Sequence, residues 1–355
     1  MQISVVRPGE LGPNEIAVWH SMQNKTKALA SPFLCPEFAV AVDNFRPDAR
    51  VAVLVEGAEI VGFFPFQRRH LQVGAPIGAG LNDCQGLIHI PGLEWDPREL
   101  IRACKISVWQ FDHLTQGQQP FARYKTAIAA SPVIDLTDGF PAYHEKLQIE
   151  SPKFCKDVER KAQILERTAG ELRFTMDSRD SSGLRVLIAW KSSQCQRNSW
   201  INIFDRPWVI DLLDYLFSSH NDYFGGSLSL LHAGEELVAA HFGLRSCHVL
   251  AAWFPAYNTR FARQSPGLIN FFRMAEEAAT IGVSLISLGK GTARFKETLK
   301  SCDLFVAEGM VVPGGLLAAA HRARRSAARW AGPQIRKHPH LFRPTEQLLR
   351  HYGRI

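Results

Sequence analysis

No apolar run in this chain approaches the roughly 20 residues that a membrane-spanning helix needs. The opening stretch Met1-Gln2-Ile3-Ser4-Val5-Val6-Arg7 has no basic segment followed by a long apolar one, so no secretory leader is expected and the protein is assigned to the cytoplasm. Close cysteine pairs are missing too. The seven cysteines, at 35, 84, 104, 155, 195, 247 and 302, are odd in number and never spaced as CxxC. That spacing argues against a disulfide framework or a zinc site, and no metal site is expected; reduced, mostly buried thiols are. Most of the chain also lacks an excess of charge of either sign. The formal charge of +7 lies beyond Pro313, where Arg322, Arg324, Arg325, Arg329, Arg336, Lys337, Arg343, Arg350 and Arg354 face the single acid Glu346. The near-neutral remainder argues against a body that binds nucleic acid generally, and no specific nucleic-acid partner is expected. Within the tail, the stretch 316–330 is rich in helix formers and stops at Gly332-Pro333. It reads either as a basic helix on an anionic membrane surface, a peripheral contact, or as a solvated helix at the domain edge.

What is present fits a globular chain. With 355 residues, 46% hydrophobic and 21% charged, there is enough sequence for two domains of ordinary size, each with a core. Strand and helix signals alternate from the start. A strand at 3–7, helices at 13–27 and 35–45, and a hairpin of Val51–Val55 with Ile60–Phe66 come first. A glycine-rich loop over 74–92, holding a short strand near Leu87-Ile88, precedes a helix at 100–104 and strands at 107–114 and 124–136. From Phe140 the pattern turns helical. Ser151-Pro152 is a good helix start, and the helix that follows spreads Lys153, Lys156, Arg160, Lys161 and Arg167 away from its apolar face. Such a basic helix either attracts phosphates or an acidic glycan, or is the solvated side of an amphipathic helix. Helices over 180–195 and 206–218 follow. A second hairpin then pairs 228–231 with 237–244, before a strand at 249–254, a helix at 266–281 and a strand at 284–288.

One feature of this order repeats. Gly57-Ala58-Glu59-Ile60-Val61-Gly62 and Gly234-Glu235-Glu236-Leu237-Val238-Ala239 each follow a hydrophobic strand and open another, and they lie 177 residues apart. Together with the helices that precede both, the echo suggests two similar α/β units in tandem. The expected division is 1–140, 141–312 and a basic tail at 313–355.

Two clusters in the second half carry chemistry. A strand feeding a loop and then a helix at Gln264-Ser265-Pro266-Gly267 gathers unpaired backbone N–H groups and the positive end of the helix dipole, a place for a pyrophosphate. Arg260 and Arg263 lie beside it as further phosphate partners. Later, Leu288-Gly289-Lys290-Gly291-Thr292-Ala293-Arg294-Phe295-Lys296 follows a strand, without the Gly-Lys-Ser/Thr ending of a P-loop. These residues resemble the catalytic half of the GNAT-like acyltransferases of the CelD type, which are associated with cellulose and polysaccharide biosynthesis and are related to the FemAB aminoacyl transferases.

The resemblance covers 145–300 best. It implies tandem GNAT-like units, each a mixed, mostly antiparallel sheet flanked by helices, and a transferase that moves an acyl group from acetyl-CoA or another acyl-CoA to an amine or hydroxyl of a sugar, sugar nucleotide or glycan intermediate. Gln264, Ser265 and Gly267 match the family's phosphate-binding turn, although Ile269 stands where a small residue is usual. In the family's Asp-x-Gly-x-Gly and Tyr-Lys pattern, both glycines and Lys296 remain, while Ser287 replaces the aspartate and Phe295 the tyrosine. Acyl transfer needs a base, and His241, on an otherwise apolar strand, is the candidate. Tyr257 is the candidate for protonating the leaving thiolate. Lys290, Lys296 and Asp83 are candidates for binding the acceptor. Two rival readings accompany this one: an aminoacyl-tRNA-dependent transferase of the FemAB kind, and a non-catalytic scaffold in polysaccharide export.

Overall fold

Helix starts along the chain are written by proline. Helices α1 (Pro13–Lys25), α2 (Pro36–Phe45), α3 (Pro97–Ala103), α5 (Pro152–Ala169), α7 (Pro207–Ser218) and α8 (Pro266–Thr280) all open on a proline, whose missing N–H costs nothing in the first turn. Between them come α4 (Gly139–Glu150) and α6 (Ser181–Arg197), and α9 (Arg294–Leu299) follows α8. The structure, a computed structural model, describes residues 1–78 and 80–312, so the basic tail lies outside the described residues.

The strands are β1 (Gln2–Val6), β2 (Ala49–Glu56), β3 (Glu59–Arg69), β4 (Val73–Pro76), β5 (Ile88–His89), β6 (Val108–Leu114), β7 (Lys125–Asp135), β8 (Leu172–Thr175), β9 (Phe224–Ala233), β10 (Glu236–Ser246), β11 (Val249–Tyr257), β12 (Leu285–Ser287) and β13 (Cys302–Val311). They form one sheet in the order β1-β2-β3-β4-β6-β13-β7-β12-β11-β10-β9-β8, with β5 added on β3. Central strands such as β3 and β9 are buried almost continuously rather than on alternate residues, as expected for strands covered by helices on both faces. The fold is thus a mixed α/β one, a large and mostly antiparallel sheet flanked by helices.

Read inward from either edge, the sheet repeats itself. β1 to β4 and β6 correspond in order and direction to β8 to β12: antiparallel pairs lead to one parallel pair, β4 with β6 on one side and β11 with β12 on the other. The two hairpins whose sequences echo are β2–β3 and β9–β10. Gly57 and Gly234 occupy equivalent turns at φ of 60° and 58°, the left-handed region that glycine enters without penalty. The halves are nevertheless interlocked, because the last strand of each crosses over. β7 pairs with β12, and β13 pairs with β6.

The cores follow this exchange. One apolar cluster joins Trp19, Phe33 and Phe38 to Leu212, Phe242 and Phe254, and another joins Ala307 and Val311 of β13 to the amino-terminal side. A separate core for each half, the expectation from length, therefore gives way to shared cores: α1 and α2 pack with α7 and the strands β9 to β11 of the other half, and β13 carries its side chains into the amino-terminal core. All seven cysteines are unpaired, and four are buried. Among the described residues, no helix is long and apolar enough to cross a membrane.

Candidate active site

The parallel pairing of β11 with β12 covers only Val249 to Ala251 against Leu285 to Ser287. Beyond it β11 runs on to Tyr257, while the other chain turns away at Leu288. The strands part because β11 bulges: Phe242 pairs with Phe254 and Leu244 with Ala251, so Ala252 and Trp253 together face the single Gly243. A bulge bends its strand and leaves a residue out of the ladder. A Cβ at position 243 would lie 2.4 Å from the Ala251 carbonyl oxygen, so only glycine permits this approach.

Into the gap opens a cavity of about 630 Å³. Its walls are Ala252, Trp253 and Pro255 to Tyr257 of β11, the first turns of α8 (Ser265, Gly267, Asn270 and Phe271), Leu288 to Lys290, and Phe295 with Lys296 of α9. Lys191 and Gln194 of α6, and Asp83 and His113 from the amino-terminal half, complete it.

At the start of α8, Ser265 has left-handed backbone angles and makes no capping bond with its side chain. Instead its Oγ accepts a hydrogen bond at 3.1 Å from Lys161 Nζ of α5, which also lies 2.8 Å from Asp157. The hydroxyl thus gathers a cation to the helix end whose dipole already favours anions. A Cβ on Gly267 would meet only Tyr257 Cδ1, at 3.5 Å. Asn270, one turn on, is 2% exposed and its Oδ1 has no partner.

At the opposite wall the charges interlock. Lys296 Nζ donates to the carbonyls of Gly289 and Lys290, at 3.0 Å each, which fixes the glycine turn, and burial lowers its pKa. Lys290 Nζ donates to Glu308 Oε1 at 2.6 Å and to the Asp112 carbonyl at 3.1 Å. Asp83 Oδ1 lies 3.7 Å from His113 Nε2. Burial raises the Asp83 pKa, with His113 and Lys296 opposing the rise.

The amino-terminal half has a corresponding gap, and its own chain fills it. β4 and β6 pair only at Val73 with Val108 and Gly74 with Trp109, after which the loop carrying Gln85 enters. Gln85 Oε1 accepts from the backbone N–H groups of Asp112 and His113, at 3.0 and 3.1 Å, and its own N–H donates to the His113 carbonyl at 2.9 Å.

Of the residues singled out from sequence, Tyr257, Ser265, Gly267, Asp83, Lys290 and Lys296 meet at this cavity. Four others do not line it. His241 is fully buried, with both ring nitrogens unpartnered and its ring 5.8 Å from that of Phe271; desolvation holds its pKa down at about 3. The expectation that its strand position faces the site is corrected: Phe271, which does line the cavity, packs against it. Arg260 is turned to the β9–β10 hairpin, where it holds Glu236 with two bonds of 3.1 and 3.0 Å. Arg263 is exposed, and neither it nor Gln264 is part of the lining. Lys191, Trp200 and Asn270 are lining residues that sequence reasoning missed. For Asn270 a signal existed, a lone amide one turn beyond Gly267 on the face that carries Ile269, Phe271 and Met274.

Residues 152–297 match the model of the acetyltransferase (GNAT) domain family. That stretch, less than half of the chain, is what resembles a GNAT acetyltransferase domain. Its limits take in the cavity walls from Lys191 to Lys296. Among solved structures, FemX is similar at 9% identity, with 87% of this chain and 96% of that one covered and a TM-score of 0.55. The C-terminal domain of a protein named as a lysylphosphatidylglycerol synthetase, from Agrobacterium fabrum, is similar at 12% identity, with 88% and 97% covered and a TM-score of 0.53. Both likenesses concern the fold, and both extend beyond residues 152–297 over most of the chain. Among curated proteins, none matches this chain significantly.

Proposed function

We propose that the protein is an acyl-CoA-dependent transferase in which the GNAT domain binds acetyl-CoA or another acyl-CoA in the gap between β11 and β12. The observation that carries this reading is the parting of the two strands at the Ala252–Trp253 bulge, beside a cavity that ends at the first turn of α8. The pyrophosphate would lie at Gly267, where the backbone can be approached closely and where Lys161 and Ser265 stand. The pantetheine arm runs through the gap toward Leu288. There, a backbone N–H freed at the bulge stabilises the oxyanion that develops as the thioester is attacked. Tyr257, on the cavity wall, is placed to protonate the departing thiolate.

We take the tandem division at 140/141 as the working description of the two units, with catalysis in the second. The first supports it, since its own gap is filled by Gln85. The acceptor is an amine or hydroxyl of a sugar, sugar nucleotide or glycan intermediate, for which Ser31, Thr115, Gln116 and Ser131 supply hydrogen-bond partners in a second, otherwise mostly apolar cavity. A cytoplasmic setting agrees with the unpaired cysteines. The tail, with its excess of arginine, is the element for peripheral contact with an anionic membrane, and deleting residues 314–355 should reduce retention on anionic vesicles at low salt. Equal retention would end that idea. The transferase reading is tested by incubating the protein with acetyl-CoA and a panel of amino sugars while following free CoA by chromatography. Acceptor-dependent CoA release supports it. Release from charged tRNA, with none from acetyl-CoA, would replace it by the aminoacyl reading.

A further inference from the structure

The loop that closes the gap in the amino-terminal half also delivers Asp83 to the other half. Trp253, at the bulge of β11, anchors that loop: its Nε1 donates to the Leu81 carbonyl at 2.8 Å, and its ring packs edge-on against Phe33 at 5.3 Å. Two residues beyond Leu81, the carboxylate of Asp83 reaches the glycine turn after β12, where a Cβ on Gly289 would lie 3.1 Å from Oδ2. Asp83 lines the 630 Å³ cavity and also a second one of about 380 Å³, which runs under β11, β12, β7 and β13. Ser287 lines the second cavity as well. A carboxylate from the other half of the chain thus reaches the end of β12, where the two cavities meet.

The contacts of Asp83 leave it free to act. Asp112 beside it is held by Gln85 Nε2 at 2.7 Å and by His113 Nδ1 at 3.0 Å. Among the described residues Asp83 has only the 3.7 Å contact with His113, and its side chain keeps 34% exposure where it lines the cavities. The charged and titratable groups around it are His113, Asp112, Lys290 and Lys296.

Resting on the acyl-CoA reading above, we infer that Asp83 is the general base for the acceptor and that the acceptor enters through the second cavity. That cavity is lined mainly by apolar side chains, among them Phe33, Val249, Leu285, Leu304 and Phe305, with Lys27, Ser31, Thr115, Gln116 and Ser131 as its polar positions, a lining for an acceptor that joins its amine or hydroxyl groups to an apolar part. Asp83 takes the proton from the acceptor's N–H or O–H as the lone pair forms the bond to the acyl carbon. The C–S bond breaks with its electron pair on the CoA sulfur, which is then protonated, and Asp83 returns its proton to solvent. The products are the acylated acceptor and CoA thiol.

The test uses the full chain with acetyl-CoA as donor and glucosamine as the probe acceptor, comparing wild type with Asp83→Asn and Asp83→Ser. The serine variant guards against a steric fault at Gly289. Acetyl-CoA affinity should stay within about threefold while CoA release falls by about 100-fold or more, the scale of a lost general base. The variants should also lose the acid limb of the wild-type pH–rate profile, and burial of Asp83 sets that limb above the ordinary carboxylate range. Gln116→Trp, at the exposed rim of the second cavity, should raise the acceptor KM about tenfold or more with acetyl-CoA affinity unchanged. Equal CoA release by wild type and both Asp83 variants, including none from any, overturns the assignment of the base while leaving acyl-CoA binding in place. An unchanged acceptor KM in Gln116→Trp overturns the entry route. Failure of wild type to bind acetyl-CoA at all removes the underlying reading and this inference with it.

Discussion

Replacing Gly267 by valine separates binding from folding at the start of α8. A Cβ there meets only Tyr257 Cδ1 at 3.5 Å, an ordinary contact, so the first added carbon finds room. Glycine is about 1 kcal/mol worse than alanine in a helix interior, so the fold should lose nothing and stands to gain a few tenths of a kcal/mol. The two γ-methyl groups instead occupy the cavity at the place assigned to pyrophosphate. Hydrogen bonds to charged groups contribute about 1.5–3 kcal/mol each, so losing one such approach should weaken CoA binding by roughly 10- to 100-fold. Gly267→Ala, with no γ-methyls, should stay within about threefold of wild type. Calorimetry with CoA, alongside a thermal unfolding curve, reads both quantities. Affinity unchanged in Gly267→Val, with the melting temperature also unchanged, would refute the phosphate assignment.

Two further predictions concern His241 and Arg260, which lie away from the cavity. His241 is neutral in the fold, with its pKa held at about 3, against about 6.5 for an unperturbed histidine. The unfolded chain binds this proton first, so His241's contribution to stability is intact above pH 6.5 and is lost as the pH falls from there toward 3. Between pH 7 and pH 5 the loss is about 2 kcal/mol by this linkage. His241→Leu should therefore retain acetyl-CoA turnover and flatten the acid side of the stability curve measured by urea unfolding; an unchanged acid slope, or lost turnover with CoA binding intact, would contradict the placement. Arg260→Ala should leave CoA affinity within about threefold, because its guanidinium is committed to Glu236. A tenfold loss by calorimetry would return Arg260 to the phosphate site.

Much of the fold was legible because local chemistry and tertiary structure agree. Prolines mark the starts of α2, α5 and α8, and the glycine turns of the two echoing hairpins sit at equivalent positive φ. β8, β4 and β13 were not read, and the first two are only four residues long each, too short for a period to register. The exchange of β7 and β13 could not be read either, since pairing between distant strands leaves no local trace. The same limit governed the site. Gly267, Ser265 and Lys296 were visible because their chemistry is tied to a turn or a helix end. His241 failed because alternation along a strand tells which residues share a face but not whether a cavity or a packed helix covers that face. Asp83, a candidate for binding the acceptor, lies in a glycine-rich loop whose sequence carries no sign of where it ends up. Its position between two cavities depends on Trp253 holding that loop from the other half of the chain.

The central claim is that acyl-CoA lies between β11 and β12, and a crystal structure of the protein grown with acetyl-CoA tests it most directly. The account predicts the pyrophosphate at the first turn of α8 beside Gly267 and Lys161, with the thioester carbonyl facing the bulge at Ala252 and Trp253 and the acyl carbon pointing to Asp83. Density for the cofactor in the 380 Å³ cavity under β13, or in the Gln85-filled gap of the amino-terminal half, would contradict it.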